Sequence, residues 1–279
     1  MAGASATTSH LPVPGATLYF EVRGDPGNPA LLLIAGGNTD AAVFEGLADV
    51  LAGTFHVLTF DPRGNSRSRV DGAPTSQTIE LHAGDASSLL AHIVQEPAIV
   101  FGTSSGGLVG LELLASYPAQ VRLLIVHEPP ATELLESPER YRELFRGIRE
   151  TAMSQGTAAA MSEFFVAAGI SPAVPTELPP DLAAKAARWE ANADFFLQHE
   201  ICEFTAYAPP VTVLRERSDR IVAVGGTASR GQLPYVTAQA VAESLGVPLE
   251  EIIGDHGGYL SNPTEFGARL HELIQARLG

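Results

Sequence analysis

A serine bracketed by glycines, Gly102-Thr103-Ser104-Ser105-Gly106, follows the β-type run AIVF (98–101) and leads straight into a helical pattern. This G-x-S-x-G suits a hydroxyl nucleophile. A serine on a sharp strand-to-helix turn exposes its Oγ, and glycines two residues away on either side let the neighbouring chains pass. The helix that follows aims its positive end at the bend, and the Ser105 N–H is placed to donate to an oxyanion. A nucleophilic serine needs a base. Near the C-terminus the run LEEII leads into Gly254-Asp255-His256-Gly257-Gly258, which puts His256 on a glycine-flanked loop after the last strand. The order, serine first and histidine last, suits this chemistry. Of the other seven histidines, His10, His82, His92, His199 and His271 read as surface or satisfied polar groups, while His56 begins a strand and His127 ends one.

A base histidine also needs a carboxylate to hold its tautomer and to stabilise the imidazolium. Two residues compete for that role. If the strand after position 208 is VTVL (211–214), Asp219 lies just beyond it, 37 residues before His256. If the strand is RIVAVGG, the equivalent position falls at Gly226-Thr227-Ala228-Ser229, with Ser229 standing 27 residues before His256 where an acid would be wanted. IVAVGG is the better buried strand, and the shorter spacing holds one helix and one strand without surplus. The acid is then Glu128, at the end of LLIVHE, one strand past the nucleophile's helix. The reading favours Glu128 and keeps Asp219 as the alternative.

These side chains have to be carried by a regular frame. Short apolar runs (LLLI, HVLTF, AIVF, LIV, IVAV and LEEII) alternate with helical stretches, as in a mostly parallel, doubly wound α/β sheet. The rhythm breaks between about Pro129 and Ala208, in an Ala- and Glu-rich stretch with segments such as SPERYRELFRGIRE. The division expected is a flexible tail over residues 1–10, a core over 11–130 and 209–279, and a helical cap over 131–208. DPRGNSRS (61–68) reads as a turn fixed by local hydrogen bonds of Asp61, Arg63 and Ser66.

The 279 residues are 45% hydrophobic and 18% charged, enough for one domain with an insertion. A net charge of −15 argues against nucleic acid or an anionic membrane as partner. Cys202 is the only cysteine, which leaves no intrachain disulfide or cysteine metal cluster. No run approaches the ~18–20 apolar residues of a membrane span, and MAGASATTSH lacks a signal peptide's character, so a cytoplasmic protein is expected.

With these residues in hand, the chain resembles the α/β-hydrolase superfamily over nearly its full length, and within it the branch of the fungal zearalenone lactone hydrolases. The resemblance rests on FHVLTFDPRGNSRS, GTSSGG followed by SYPAQVR, HEPP and GDHGGYLSNPTEF, in that order. It implies an α/β-hydrolase fold with an inserted helical cap. In the lactonase branch the acid is a glutamate in a His-Glu-x-Pro context, which His127-Glu128-Pro129-Pro130 matches. Where many relatives carry His-Gly at the oxyanion loop, this chain has Ala35-Gly36-Gly37-Asn38, and the N–H groups of Gly36 or Gly37 are expected to join that of Ser105. The cap aromatics Trp189, Phe195 and Phe196 are candidates for lining an apolar pocket. The activity expected is cleavage of a small-molecule carboxylic ester or lactone through an acyl-enzyme, with no metal or organic cofactor, in a protein compatible with a homodimer. Two other readings stay open on the same fold: a slow-turnover ligand receptor, and a cofactor-free perhydrolase or oxygenase.

Overall fold

Strands buried on both faces are apolar at most positions, and the continuous runs of this sequence assemble in that way. The computed structural model describes residues 6–170 and 180–279. In it, strands β3 (Ala30–Ile34), β4 (His56–Phe60), β6 (Ala98–Thr103), β7 (Val121–His127), β8 (Ile221–Gly226) and β9 (Leu249–Ile252) form the parallel part of one sheet. Antiparallel β1 (Thr7–Val13) and β2 (Ala16–Arg23) extend it beyond β4, giving the order β1-β2-β4-β3-β6-β7-β8-β9, with the short β5 (Arg69–Val70) beside β2. Alternate residues point to opposite sides. Leu32, Ile34, Val100, Leu124 and Val126 join one core, with helices α2 (Ile79–Ile93), α3 (Ser105–Ser116) and α9 (Leu233–Leu245). Leu31, Leu33, Phe101, Leu123 and Ile125 join the other, with α1 (Glu45–Leu51) and α11 (Pro263–Leu278). Each such side chain, fully removed from water, contributes about 1.5–3 kcal/mol.

One expectation is corrected at the N-terminus. Residues 7–10, read as tail, are part of β1 and pair with Tyr19–Val22; residues 1–5 lie outside the described residues. The alternating segment TLYFEV (17–22) does not stand at the sheet's edge. It belongs instead to β2, whose partners lie on both sides.

Between β7 and β8 the chain inserts helices α4 (Pro138–Gln155), α5 (Thr157–Ala168), α6 (Pro180–Phe195) and α7 (Ile201–Thr205), with a π-helical turn at Phe196–Glu200 joining the last two. Proline at the first turn of α4 and a left-handed Gly169 after α5 mark helix ends of the expected kind. Their apolar faces share a cluster of their own around Phe145, Ile148, Phe196 and Ile201. The VTVL segment is the helix α8 (Val211–Arg215), and RIVAVGG carries the strand. Between β9 and α11 lies the short α10 (Gly258–Ser261). No described helix is long and apolar enough to cross a membrane.

A polar latch ties α6 to the core. Asp40, fully buried, accepts from Trp189 Nε1, Arg188 Nε and Ser66 Oγ, each at 2.9 Å. Burial pushes its carboxyl up, but those three donors outweigh this and hold it below the usual carboxylate range. Asn192 bonds the Asn38 carbonyl (3.0 Å) and the Ser66 N–H (2.7 Å), while Asn38 Nδ2 donates to the Trp189 carbonyl (2.7 Å). The bonds of DPRGNSRS therefore reach well beyond its own turn. Asp61 accepts from Ala41 N–H as well as from Arg67, and Arg63 forms a bidentate pair with Asp85 of α2.

Candidate active site

In a parallel sheet the residues leaving the C-terminal ends of neighbouring strands meet along one edge. Here Ser104 leaves β6, Glu128 leaves β7, Ser229 follows β8 and His256 follows β9. Ser104 has φ 52° and ψ −131°, a region that costs a non-glycine residue about 1–3 kcal/mol. The bend holds because Ser104 N–H donates to His127 O (2.9 Å) and Ser104 O accepts from Gly107 N–H (2.8 Å). The flanking glycines are sterically required. A Cβ on Gly102 would stand 2.2 Å from Gly106 O, and one on Gly106 2.2 Å from Ile34 O. Gly102→Ala and Gly106→Ala are each expected to cost at least about 3 kcal/mol, seen as loss of soluble protein or a large fall in Tm, because backbone rather than a side chain would have to move.

Glu128 also has a positive φ, 46°, and is fully buried. Its Oε2 lies 2.7 Å from His256 Nδ1 and accepts from the Ser229 hydroxyl at 3.3 Å, while Oε1 accepts from Gly226 N–H at 2.8 Å. Burial raises its carboxyl pKa. The His256 bond, the neighbouring imidazoles and the Gly226 N–H more than offset this and keep the group ionised. Ser229, at the position where an aspartate was sought, thus supports the glutamate from the next strand. Asp219 is elsewhere. It sits in a turn at Ser218–Arg220 ahead of β8, at the opposite end of that strand from Glu128 and His256.

His256 is held by Glu128 on one side and stacks on His127 (centroids 6.1 Å apart, 21° between planes), which in turn stacks on Phe101 at 6.0 Å. His127 is fully buried and bonds Thr103 Oγ1 through Nδ1 at 2.9 Å. Burial drives its pKa down to about 4. The unfolded chain therefore takes up a proton on this residue below about pH 6.5 that the folded chain refuses until about pH 4. Stability from His127 is complete above pH 6.5 and is lost as the pH falls through that window. His127→Phe, which keeps the stack and cannot ionise, should flatten the fall in unfolding free energy between pH 6.5 and 4 by up to about 3 kcal/mol, measured by urea titration at each pH.

Ser104, His256 and Glu128 line one cavity of about 50 Å³. Ser104 and His256 both face it without a mutual hydrogen bond among the described residues; such bonds often tighten only when substrate is bound. The remaining walls are apolar and come from the inserted helices and α9, including Phe145, Phe164, Phe196, Phe204 and Leu233. Of the pocket aromatics expected from sequence, Phe196 is in place and the other two are not. Trp189 turns its indole N–H to Asp40. Phe195 packs over Gly64, where a Cβ would meet its ring at 2.1 Å, and lies against His199. Successive helical residues point about 100° apart, and here Phe196 takes the direction of the cavity while Phe195 turns to Gly64.

At the oxyanion side, Ser105 is the first residue of α3, and its N–H has no intrahelical acceptor. Gly37 lines the cavity, and its N–H donates to Ser105 Oγ at 2.9 Å. Gly36 has a packing role. A Cβ there would lie 2.6 Å from Ser104 Cβ and 3.0 Å from Ser105 N. His82, read from sequence as a surface or satisfied polar group, is buried behind this corner with its Nε2 unpartnered among the described residues, and Glu200, which carries no sequence signal, is buried beside it.

The sheet order and this edge of strand-end residues define the chain as a hydrolase of the alpha/beta hydrolase fold, the family to which it belongs. The profile of that family matches residues 29–165. Over 274 residues, 95% of each chain, the protein is 34% identical to the uncharacterized hydrolase YraK of Bacillus subtilis (strain 168). It is 32% identical over 136 residues, 47% of this chain and 50% of the other, to the zearalenone hydrolase of Bionectria ochroleuca. Among solved structures, a thermophilic esterase from Thermogutta terrifontis superposes with a TM-score of 0.74 at 19% identity, covering 99% of this chain and all of that one; at such identity the likeness is one of fold.

Proposed function

We propose that the protein hydrolyses a carboxylic ester or lactone by acyl transfer to Ser104. The observation that carries this reading is the 2.7 Å bond between Glu128 and His256 Nδ1, at a cavity that Ser104 also faces. With Nδ1–H committed to the buried carboxylate, Nε2 is left as the basic nitrogen, the tautomer a general base requires. His256 takes the Ser104 proton as Oγ attacks the carbonyl carbon. The carbonyl oxygen gains the negative charge and is met by the Ser105 N–H and by the Gly37 N–H, which exchanges its bond to Ser105 Oγ for one to the oxyanion. Each donor is worth roughly 3–4 kcal/mol in such a hole. The imidazolium protonates the leaving alcohol, and the acyl group remains on Ser104. Water, deprotonated by the same imidazole, then attacks the acyl carbon and releases the acid. The apolar walls favour a hydrocarbon-rich alcohol or ring, and the zearalenone hydrolase among the relatives is in keeping with a lactone.

The test is reaction with a fluorophosphonate, followed by mass spectrometry of the digested protein, alongside a panel of esters and macrolactones. Phosphonylation should map to Ser104 and block turnover of whichever ester is cleaved. An unlabelled Ser104, with hydrolysis continuing, removes the acyl-enzyme reading.

A further inference from the structure

Behind the oxyanion corner lies a second, smaller cavity of about 10 Å³, sharing Gly37, Ser105 and Phe204 with the main one. Most of its wall is apolar, with Ile34, Phe60 and Val109 contributing. Its far end is polar. Glu200, 1% exposed, is brought there by the π-helical turn, whose extra residue rotates the chain between α6 and α7. Asn65 Nδ2 donates to Glu200 Oε1 at 3.2 Å from behind, and His82 Nε2 lies 3.9 Å from the same oxygen. Glu200 Oε2 and His82 Nε2 are both buried, and neither finds a hydrogen-bond partner among the described residues. Buried polar atoms left in this state are costly unless something else completes them.

We propose that this chamber is a subsite for a hydroxyl group on the acyl part of the substrate, bonded by Glu200 and His82. The proposal rests on the ester-hydrolase reading above. Its position follows from the geometry: a carbonyl oxygen between Gly37 and Ser105 lies at the boundary of the two cavities, so a substituent one or two carbons along the acyl chain enters the smaller one. Its size follows from the room available, which is about that of one water. Its lack of charge follows from the walls. Burial pushes the Glu200 carboxyl up to about 8 and the His82 imidazole down to about 3, so both groups are neutral near pH 7 and present one acid O–H and an imidazole nitrogen. A neutral hydroxyl, donor and acceptor at once, completes both; an ammonium or carboxylate guest would meet no opposite charge.

The experiment compares kcat/KM for aryl esters of butanoic, 2-hydroxybutanoic and 3-hydroxybutanoic acids. Wild type should prefer the better hydroxyacyl ester to the butanoyl ester by about 10- to 100-fold. Glu200→Leu should bring that ratio close to one, and Glu200→Gln, which can still donate and accept, should keep most of it. Should Glu200→Leu fold poorly, His82→Phe reads the same ratio from the other side of the chamber. A wild-type ratio near one, or a ratio that Glu200→Leu and His82→Phe leave untouched, overturns the proposal; the chamber then holds only water. Absence of Ser104-dependent turnover of all three esters, and of every ester and lactone in the wider panel, would instead overturn the hydrolytic reading beneath it.

Discussion

Ser104→Ala should lower kcat/KM for a reactive aryl ester by at least about 10⁴-fold and abolish phosphonylation by a fluorophosphonate. The variant loses the attacking oxygen itself, while the oxyanion donors and the cavity remain to give only weak residual rate enhancement. The fold should tolerate the change. Ser104 Oγ caps no helix, and the bend is held by backbone bonds to His127 and Gly107. Ser104→Gly separates strain from chemistry. It should be equally inactive yet as stable as wild type or about 1–2 kcal/mol more so, because glycine adopts φ near 52° without penalty. Thermal melts of the three proteins check the second point. An alanine variant that keeps a tenth of wild-type turnover would mean that another group is the nucleophile.

Glu128→Ala should reduce kcat by about 10³–10⁴-fold, with Asp219→Ala within about twofold of wild type. The first change takes away the acceptor that holds His256 Nδ1 at 2.7 Å and leaves the Gly226 N–H and the Ser229 hydroxyl without their buried partner. A fall in Tm should accompany the loss of rate. Asp219 has no such leverage. It precedes the six-residue strand β8, so roughly 20 Å of extended chain separates it from the site edge. Partial recovery is expected in the double variant Glu128→Ala/Ser229→Asp, since Ser229 Oγ already stands 3.3 Å from the oxygen that bonds the imidazole. A large effect of Asp219→Ala, with Glu128→Ala near wild type, would reverse the assignment of the acid. Both enzymes should be compared at saturating substrate, so that the loss is read in kcat rather than in binding.

The choice between the two acids shows how far local pattern could reach. Weighing IVAVGG against VTVL placed the strand correctly, because a strand buried on both faces is apolar at most positions, and VTVL runs straight into the charges of RERSD. From that placement Glu128 followed. The bond to Ser229 did not, since it depends on two neighbouring strands ending at the same height. At the other end of the chain, TTSH (7–10) looked like a tail because an edge strand needs no continuous apolar run. Its partner β2, not its own composition, makes it a strand.

Much of this protein was written in local residue order. Backbone sterics demand glycine at 102 and 106, period-two burial on both sheet faces dictates the apolar runs, and a loop after the last strand carries His256. These constraints act on residue type and spacing, so one sequence is enough to express them, even where the partner, as Ile34 O is for Gly106, lies far along the chain. Which aromatic faces the cavity, how Asp40 gathers Arg188 and Trp189, and why Glu200 and His82 meet behind Ser105 were decided only in three dimensions. Those contacts join residues more than a hundred positions apart, and a single added residue in a helical turn was enough to set which side chains point inward.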